Sequence, residues 1–212
     1  MEQIIASQMS ILLTFIPSII ALMAMVILYR YVKNCDPGTD KMREVSGAIR
    51  TGSIAYLKRQ NIYLAAFILA MAAVLAFVGS DFQSGRVDLR LAMAYIVGAT
   101  VSALAGYIGM MGATLANTRT AQAARSGLAK AFDVAITAGS LMGLGVVGLG
   151  LLGIASMFYI FKDPEIVLGF SFGASTLALF AKAGGGIYTK TADIAADLVG
   201  KVELGLPEDD PR

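Results

Sequence analysis

Uncharged residues run unbroken over five stretches of the chain: Gln3 to Tyr29, Gln60 to Ser80, Leu91 to Thr118, Val134 to Phe161 and Ile166 to Ala181. A helix needs about 20 residues to cross a bilayer, so the first four suffice alone and the fifth must continue into the charged residues that follow it. Between Asp40 and Gln60 the apolar Val45, Ile49, Ile54 and Leu57 fall near helical spacing with basic residues between them, which predicts a cytoplasmic extension of the second helix. Asp-Pro pairs in "NCDPGTD" (34–40) and "KDPE" (162–165) interrupt the helical pattern and mark turns. The pattern predicts helices over about 4–30, 41–80, 91–118, 131–161 and 166–203, then an acidic tail over 204–212. The fold class is all-α, a polytopic membrane helix bundle.

Composition agrees with that pattern. Hydrophobic residues make up 57% of the 212, charged residues only 15%, and the mean hydropathy is +0.70. That is too apolar for a soluble domain of this length. The net charge of +2, with no His and no Trp, gives no support to nucleic-acid binding or to histidine-based metal or acid/base chemistry. Cys35 is the single cysteine and cannot pair within the chain.

Basic residues set the expected orientation. The first connection carries Arg30, Lys33, Lys41, Arg43, Arg50, Lys58 and Arg59, and the third carries Arg119, Arg125 and Lys130. The second and fourth hold only Arg86, Arg90 and Lys162. Basic residues favour the cytoplasm, so the amino end is expected outside and the carboxyl end of the fifth helix inside. The first stretch lacks the basic n-region of a signal peptide and is followed by Arg30 and Lys33, so it reads as a membrane helix.

Glycine use says how the spans pack. Gly106, Gly109 and Gly112 recur on one stretch, and Gly143, Gly145, Gly148, Gly150 and Gly153 on another. In lipid such small residues let helix backbones approach, because dispersion contacts must replace a hydrophobic drive that is absent between helices.

The fifth helix carries the candidate chemistry. Lys182, Gly186, Lys190, Asp193, Asp197 and Lys201 are spaced by three or four residues and so form one continuous stripe. Charged residues on a membrane helix normally face a cavity or a protein interior. The plainer reading is that Lys190 with Asp193, and Asp197 with Lys201, are solvated ion pairs at a helix end. Two aspartates one turn apart offer the hard oxygen ligands that suit Mg²⁺, and a flanking lysine offers a point charge to phosphate. Glu203, Glu208, Asp209 and Asp210 could complete further metal shells. Lys182 lies about 12 Å along the axis from Lys190 and about 28 Å from Lys201 at about 1.5 Å per residue, so one small anion cannot touch both ends. A secondary transporter or a noncatalytic membrane subunit remains an alternative, although a transporter favours a site near the midplane with broken helices.

The run "GGGIYTKTADIAADLVGKVELGLPEDDPR" resembles the signature of the membrane-bound, ion-translocating inorganic pyrophosphatases, GGGI(F/Y)TKxADxxADLVGKxE followed by PEDDPR. "GMMGATLANTRTAQAA", "AGSLMGLGVVGLGLLG" and "MREVSGAIRTGSIAYLKRQ" are similar to parts of the third, fourth and second helices of that family. The family has about sixteen membrane helices, of which this sequence would supply five. The resemblance implies a pyrophosphate-energised pump for H⁺ or Na⁺ in the cell membrane, a homodimer that hydrolyses magnesium pyrophosphate at its cytoplasmic face. It implies Mg²⁺ as cofactor and leaves K⁺ open. It would place Lys190 on pyrophosphate, Asp193 and Asp197 on Mg²⁺, and Glu208 beside a metal. Lys201 and Glu203 match functionally important positions, Lys201 as a further substrate-binding candidate. Lys182 stands where the family usually has Arg, at a position on the ion path. The water-activating aspartates would lie on helices beyond these five, so the 212 residues alone are expected to be inactive.

Overall fold

A computed structural model of the chain describes residues 2–78 and 88–207, the side chains of 2–12 excepted. The described residues form five long helices: α1 Glu2–Asn34, α2 Asp40–Val78, α3 Arg90–Ala124, α4 Leu128–Phe161 and α5 Pro164–Asp197. All five are long and apolar enough to cross a membrane. The chain is a polytopic α-helical bundle, with no strand among the described residues.

Helix ends follow local chemistry, and several lie beyond the uncharged stretches. α1 runs past Tyr29 through Arg30 and Lys33, then stops before Pro37, which disfavours helical backbone in the residue ahead of it. In the loop that follows, the Gly38 N–H donates to Asp36 Oδ1 at 2.9 Å, with Gly38 at φ +83°. The Thr39 hydroxyl oxygen then accepts from the Met42 N–H at 3.4 Å as α2 begins. α3 continues past Thr118 to Ala124, and α4 starts at Leu128 rather than near 131, after Gly127 at φ +125°. Lys162 closes α4 in the left-handed region, its N–H donating to the Phe158 carbonyl at 2.8 Å. Asp163 caps α5 by accepting from the Glu165 N–H at 2.9 Å, and Pro164 occupies a first-turn position where its missing N–H costs nothing.

The fifth span runs on to Glu203 but changes register on the way. The regular α-helix ends at Asp197, and Leu198–Glu203 widen into a π-helical segment. The Leu204 N–H reaches back five residues to the Val199 carbonyl at 3.0 Å, and the Leu206 N–H six residues to that of Gly200 at 2.9 Å. A single stripe at α-helical spacing therefore holds only as far as Asp197.

α3 sits centrally, packed against α5, α4 and α2, while α1 packs mainly on α4 and meets α3 near its C-terminal end. The buried residues are mostly alanines, among them Ala92, Ala94, Ala99, Ala116 and Ala138, with Tyr95 the largest side chain fully enclosed. Small residues bring backbones together. A methyl group on Gly98 would overlap the Phe170 carbonyl oxygen, and one on Gly173 would overlap that of Tyr95, so α3 and α5 exchange glycines across their contact. Among the glycines expected to pack, Gly109 and Gly112 meet Met142 and Leu141, Gly145 and Gly148 meet Met25 and Leu22, and Gly153 meets Phe170. Gly106, Gly143 and Gly150 meet no neighbour within 4 Å. Large apolar side chains such as Ile20, Ile27, Phe77, Val146 and Leu179 stay exposed, as suits a surface covered by acyl chains or further helices.

Candidate functional site

α5 presents its charged residues on one side. Gly169, Phe170, Gly173 and Leu177 of this helix are buried, and they set which way it faces. At about 100° per residue the centre of the Lys182, Gly186, Lys190, Asp193 and Asp197 stripe lies on the opposite face. The stripe is open. Lys190 and Asp193 side chains are 73% and 65% exposed, and Asp197 and Lys201 are 69% and 40% exposed. A methyl group on Gly186 would meet nothing within 4 Å.

The charges pair loosely along the helix. Lys190 Nζ stands 3.8 Å from Asp193 Oδ2, and Lys201 Nζ stands 3.8 Å from Asp197 Oδ1 across the junction with the π segment. Both separations exceed hydrogen-bond length, so each lysine neutralises its aspartate in part and leaves carboxylate oxygens free for another partner. Glu203 is exposed at the last residue of the π segment, and Glu208, with Asp209 and Asp210, lies outside the described residues. Among the described residues no three acidic, His or Cys side chains gather into a metal cage. Two carboxylates on one face are nevertheless the donor set that Mg²⁺ uses when water and phosphate oxygens complete its shell.

Lys182 has a different setting. It sits at the edge of a largely apolar cavity of about 530 Å³ between α3, α4 and α5, lined by Val101, Ala105, Met142, Leu149 and Ala178. It is exposed, and no acidic group pairs with it among the described residues.

A second polar region was not foreseen from the sequence. A cavity of about 570 Å³ near the ends of α1, α3 and α4 is lined by Tyr31, Asp36, Arg119, Gln122, Lys130 and Asp133. Its groups mainly join helices. Arg119 donates to the Leu115 carbonyl at 2.7 Å and to the Lys33 carbonyl at 3.2 Å, satisfying the last turn of α1 from α3. Tyr31 donates to Asp133, and Gln122 donates to Asp36 at 2.9 Å. Hydrogen bonds from the Gly38 N–H and then from Gln122 hold the Asp36 carboxyl below its ordinary range. Cys35 borders this region and donates to the Tyr31 carbonyl at 3.4 Å. The signal in the sequence was "NTRTAQAAR", in which polar residues continue a helical run.

Comparison with known proteins adds the family. The model for the family described as inorganic H+ pyrophosphatase matches residues 19–212. The chain is 46% identical over 177 residues to a K(+)-insensitive pyrophosphate-energized proton pump of Methanosarcina mazei, covering 84% of this chain and 26% of that protein. It is 47% identical over 204 residues to a Clostridium tetani protein provisionally named a K(+)-stimulated pyrophosphate-energized sodium pump, covering 95% of this chain and 29% of that one. It is 40% identical over 228 residues to pyrophosphate-energized membrane proton pump 3 of Arabidopsis thaliana, covering 95% and 28%. The chain thus spans between a quarter and a third of these relatives' length. By a match that takes in four of its five helices whole, the C-terminal half of α1 and the whole run from Lys190 to Lys201, it belongs to the inorganic H+ pyrophosphatase family.

Proposed function

We propose that this chain forms one wall of a pyrophosphate-energised cation pump that hydrolyses magnesium pyrophosphate at the cytoplasmic face and exports H⁺ or Na⁺. The observation that carries the reading is the exposed end of α5, where Asp193 and Asp197 stand between Lys190 and Lys201 with each carboxylate 3.8 Å from a lysine.

In this reading Lys190 binds a pyrophosphate oxygen as a point charge, and Lys201 approaches the same substrate from beyond Asp197. Asp193 and Asp197 would hold Mg²⁺, with Glu208 assisting, and Glu203 is a further candidate at the same end of the helix. When bound, the metal supplies charge neutralisation and stabilises the phosphoryl transition state. The chain's own part is to orient: the α-helical register to Asp197 fixes the two carboxylates one turn apart. Lys182, deeper along the same face, belongs to the ion path, where a carboxylate from another helix would pair with it. The basic residues of the first and third connections favour a cytoplasmic position for the carboxyl end of α5. Assembly as a homodimer, and any requirement for K⁺, belong to the whole protein. The described helices α2 to α5 are unbroken through their apolar spans, which a midplane transporter site does not favour.

The test is hydrolysis by the full-length protein that contains this chain. Asp193→Ala and Asp197→Ala are each expected to abolish magnesium-dependent pyrophosphate hydrolysis, and Lys190→Ala to weaken or abolish it. Near-normal turnover in either aspartate variant would return these residues to the standing of a solvated ion pair.

A further inference from the structure

α2 and α5 run antiparallel and meet through a repeated element. Each carries Gly-x-x-x-Tyr: Gly52 to Tyr56 in "GSIAY" and Gly184 to Tyr188 in "GGGIY". Because the helices are antiparallel, each tyrosine reaches the other helix's glycine. A methyl group on Gly184 would stand 2.6 Å from Tyr56 Oη and 3.4 Å from Gln60 Oε1, and one on Gly52 would stand 3.4 Å from Tyr188 Oη. Between these contacts the two rings stack at 4.9 Å between centroids, tilted by 39°. Further along the same seam Leu64 and Leu177 share a buried cluster, and Phe67 meets Phe180 at 4.9 Å.

The seam lies behind the charged face. At about 100° per residue, Gly184 and Tyr188 fall about 180° round α5 from the centre of the Lys182 to Asp197 stripe. They also lie between the two ends of that stripe, Gly184 two residues beyond Lys182 and Tyr188 two residues before Lys190. A turn of α5 about its axis at this point would redirect Lys190 and Asp193, because residues 189–199 are exposed on every side and do not hold the helix themselves. Nothing on α5 itself resists such a turn near here, because Gly185 and Gly186 have no neighbour within 4 Å. The contact from α2 does resist it.

Two polar atoms in the seam have no partner. Tyr56 Oη and Gln60 Oε1 are both buried without a hydrogen bond, and both face Gly184. Buried oxygens left unpaired add nothing to stability, so hydrogen bonding does not account for the hydroxyl resting on Gly184. Its fit against a bare backbone does.

We infer that Tyr56, seated on Gly184, is a positioning residue that sets the rotation of α5 and thereby aims Lys190 and Asp193 at the substrate. The inference rests on the pump reading above and extends it to a residue on α2 that touches neither substrate nor metal. Tyr188 on Gly52 forms the looser half of the same latch.

A size exchange tests it in the full-length protein, measured by kcat/KM for magnesium pyrophosphate and by the midpoint of thermal unfolding. Gly184→Ala forces the 2.6 Å contact apart, and a displaced α5 is expected to lower kcat/KM by about tenfold or more. Adding Tyr56→Phe removes the obstructing hydroxyl while keeping the ring, and is expected to restore kcat/KM to within about threefold of the unaltered protein. Gly52→Ala, whose methyl would make an ordinary 3.4 Å contact, is expected to leave both readouts nearly unchanged. Rescue of kcat/KM by the second substitution supports the positioning role. Unaltered kinetics in Gly184→Ala, or recovery of the unfolding midpoint without recovery of kcat/KM, overturns it and leaves the contact as packing alone. Absence of pyrophosphate hydrolysis in the unaltered protein would instead overturn the pump reading, and the role in that reaction with it, while the unfolding midpoints still report whether Tyr56 and Gly184 meet.

Discussion

Lys182 and Lys190 share a face of α5 but not an environment. Lys190 stands beside Asp193 in the open, whereas Lys182 borders an apolar cavity with no acid paired to it. Desolvation lets a lysine lose its proton, while an arginine stays charged and presents a planar fork. In the pump reading Lys182→Arg is expected to retain hydrolysis and pumping, since a permanent cation can serve the same partner. Lys182→Ala is expected to lower cation transport more than magnesium pyrophosphate binding, because the opposing carboxylate would be left unpaired. Parallel measurement of binding, hydrolysis and transport in reconstituted full-length protein checks both. Normal transport by Lys182→Ala, or a loss confined to substrate affinity, would remove this residue from the coupling path.

Among the helix pairs, α3 and α5 approach most closely where glycine replaces a side chain on each. Gly98 lies under Phe170, and Gly173 under Tyr95. Alanine at either position would push a carbonyl and its helix outward, and neither is the free end of a flexible chain. Gly173→Ala is expected to destabilise the bundle by about 1–3 kcal/mol, the usual scale for overpacking. A lowered midpoint of thermal unfolding in detergent is the readout. Gly143→Ala, with no neighbour within 4 Å, is the matched control and is expected to leave the midpoint close to that of the unaltered chain. Equal effects at the two positions would mean that helix propensity, and not close approach, governs glycine use here. At the end of α5 the π segment changes how charge is laid out, because Lys201 no longer follows Asp197 at α-helical rotation yet still comes within 3.8 Å of it.

For the molecule as a whole, sidedness is the first question, since the proposed hydrolytic face must be cytoplasmic. Single cysteines at Thr39 and at Ser84, in a Cys35→Ser background, are expected to react with an impermeant thiol reagent from the inside and the outside respectively. Thr39 precedes α2, whose exposed first turns pair Lys41 with Glu44 and Arg43 with Asp40, while Ser84 lies outside the described residues in the connection to α3. The reversed labelling pattern would invert the bundle and remove the cytoplasmic substrate site with it.

Much of this arrangement could be read along the chain, because it depends on neighbours a few residues apart. The length of each apolar run marked a span, Asp163 and Pro164 marked the start of α5, and the spacing of Lys190, Asp193 and Asp197 placed them on one face. Local backbone geometry enforces all three. Other features needed residues distant in sequence. α1 keeps its helix to Asn34 while Arg119, 86 residues beyond Lys33, donates to the Lys33 carbonyl near its end. Which glycines pack, and which stand open, followed from the helix that each happened to face. The sequence by itself determined the helices, their apolar character and the Lys-Asp-Asp face, since these arise from local periodicity and the thickness of a bilayer. Only the tertiary structure decided that α3 packs on the Gly169 to Leu177 face of α5 and that α2 meets it at Gly184 and Tyr188, because a helix cannot fix its own rotation without side chains from its neighbours to pack against.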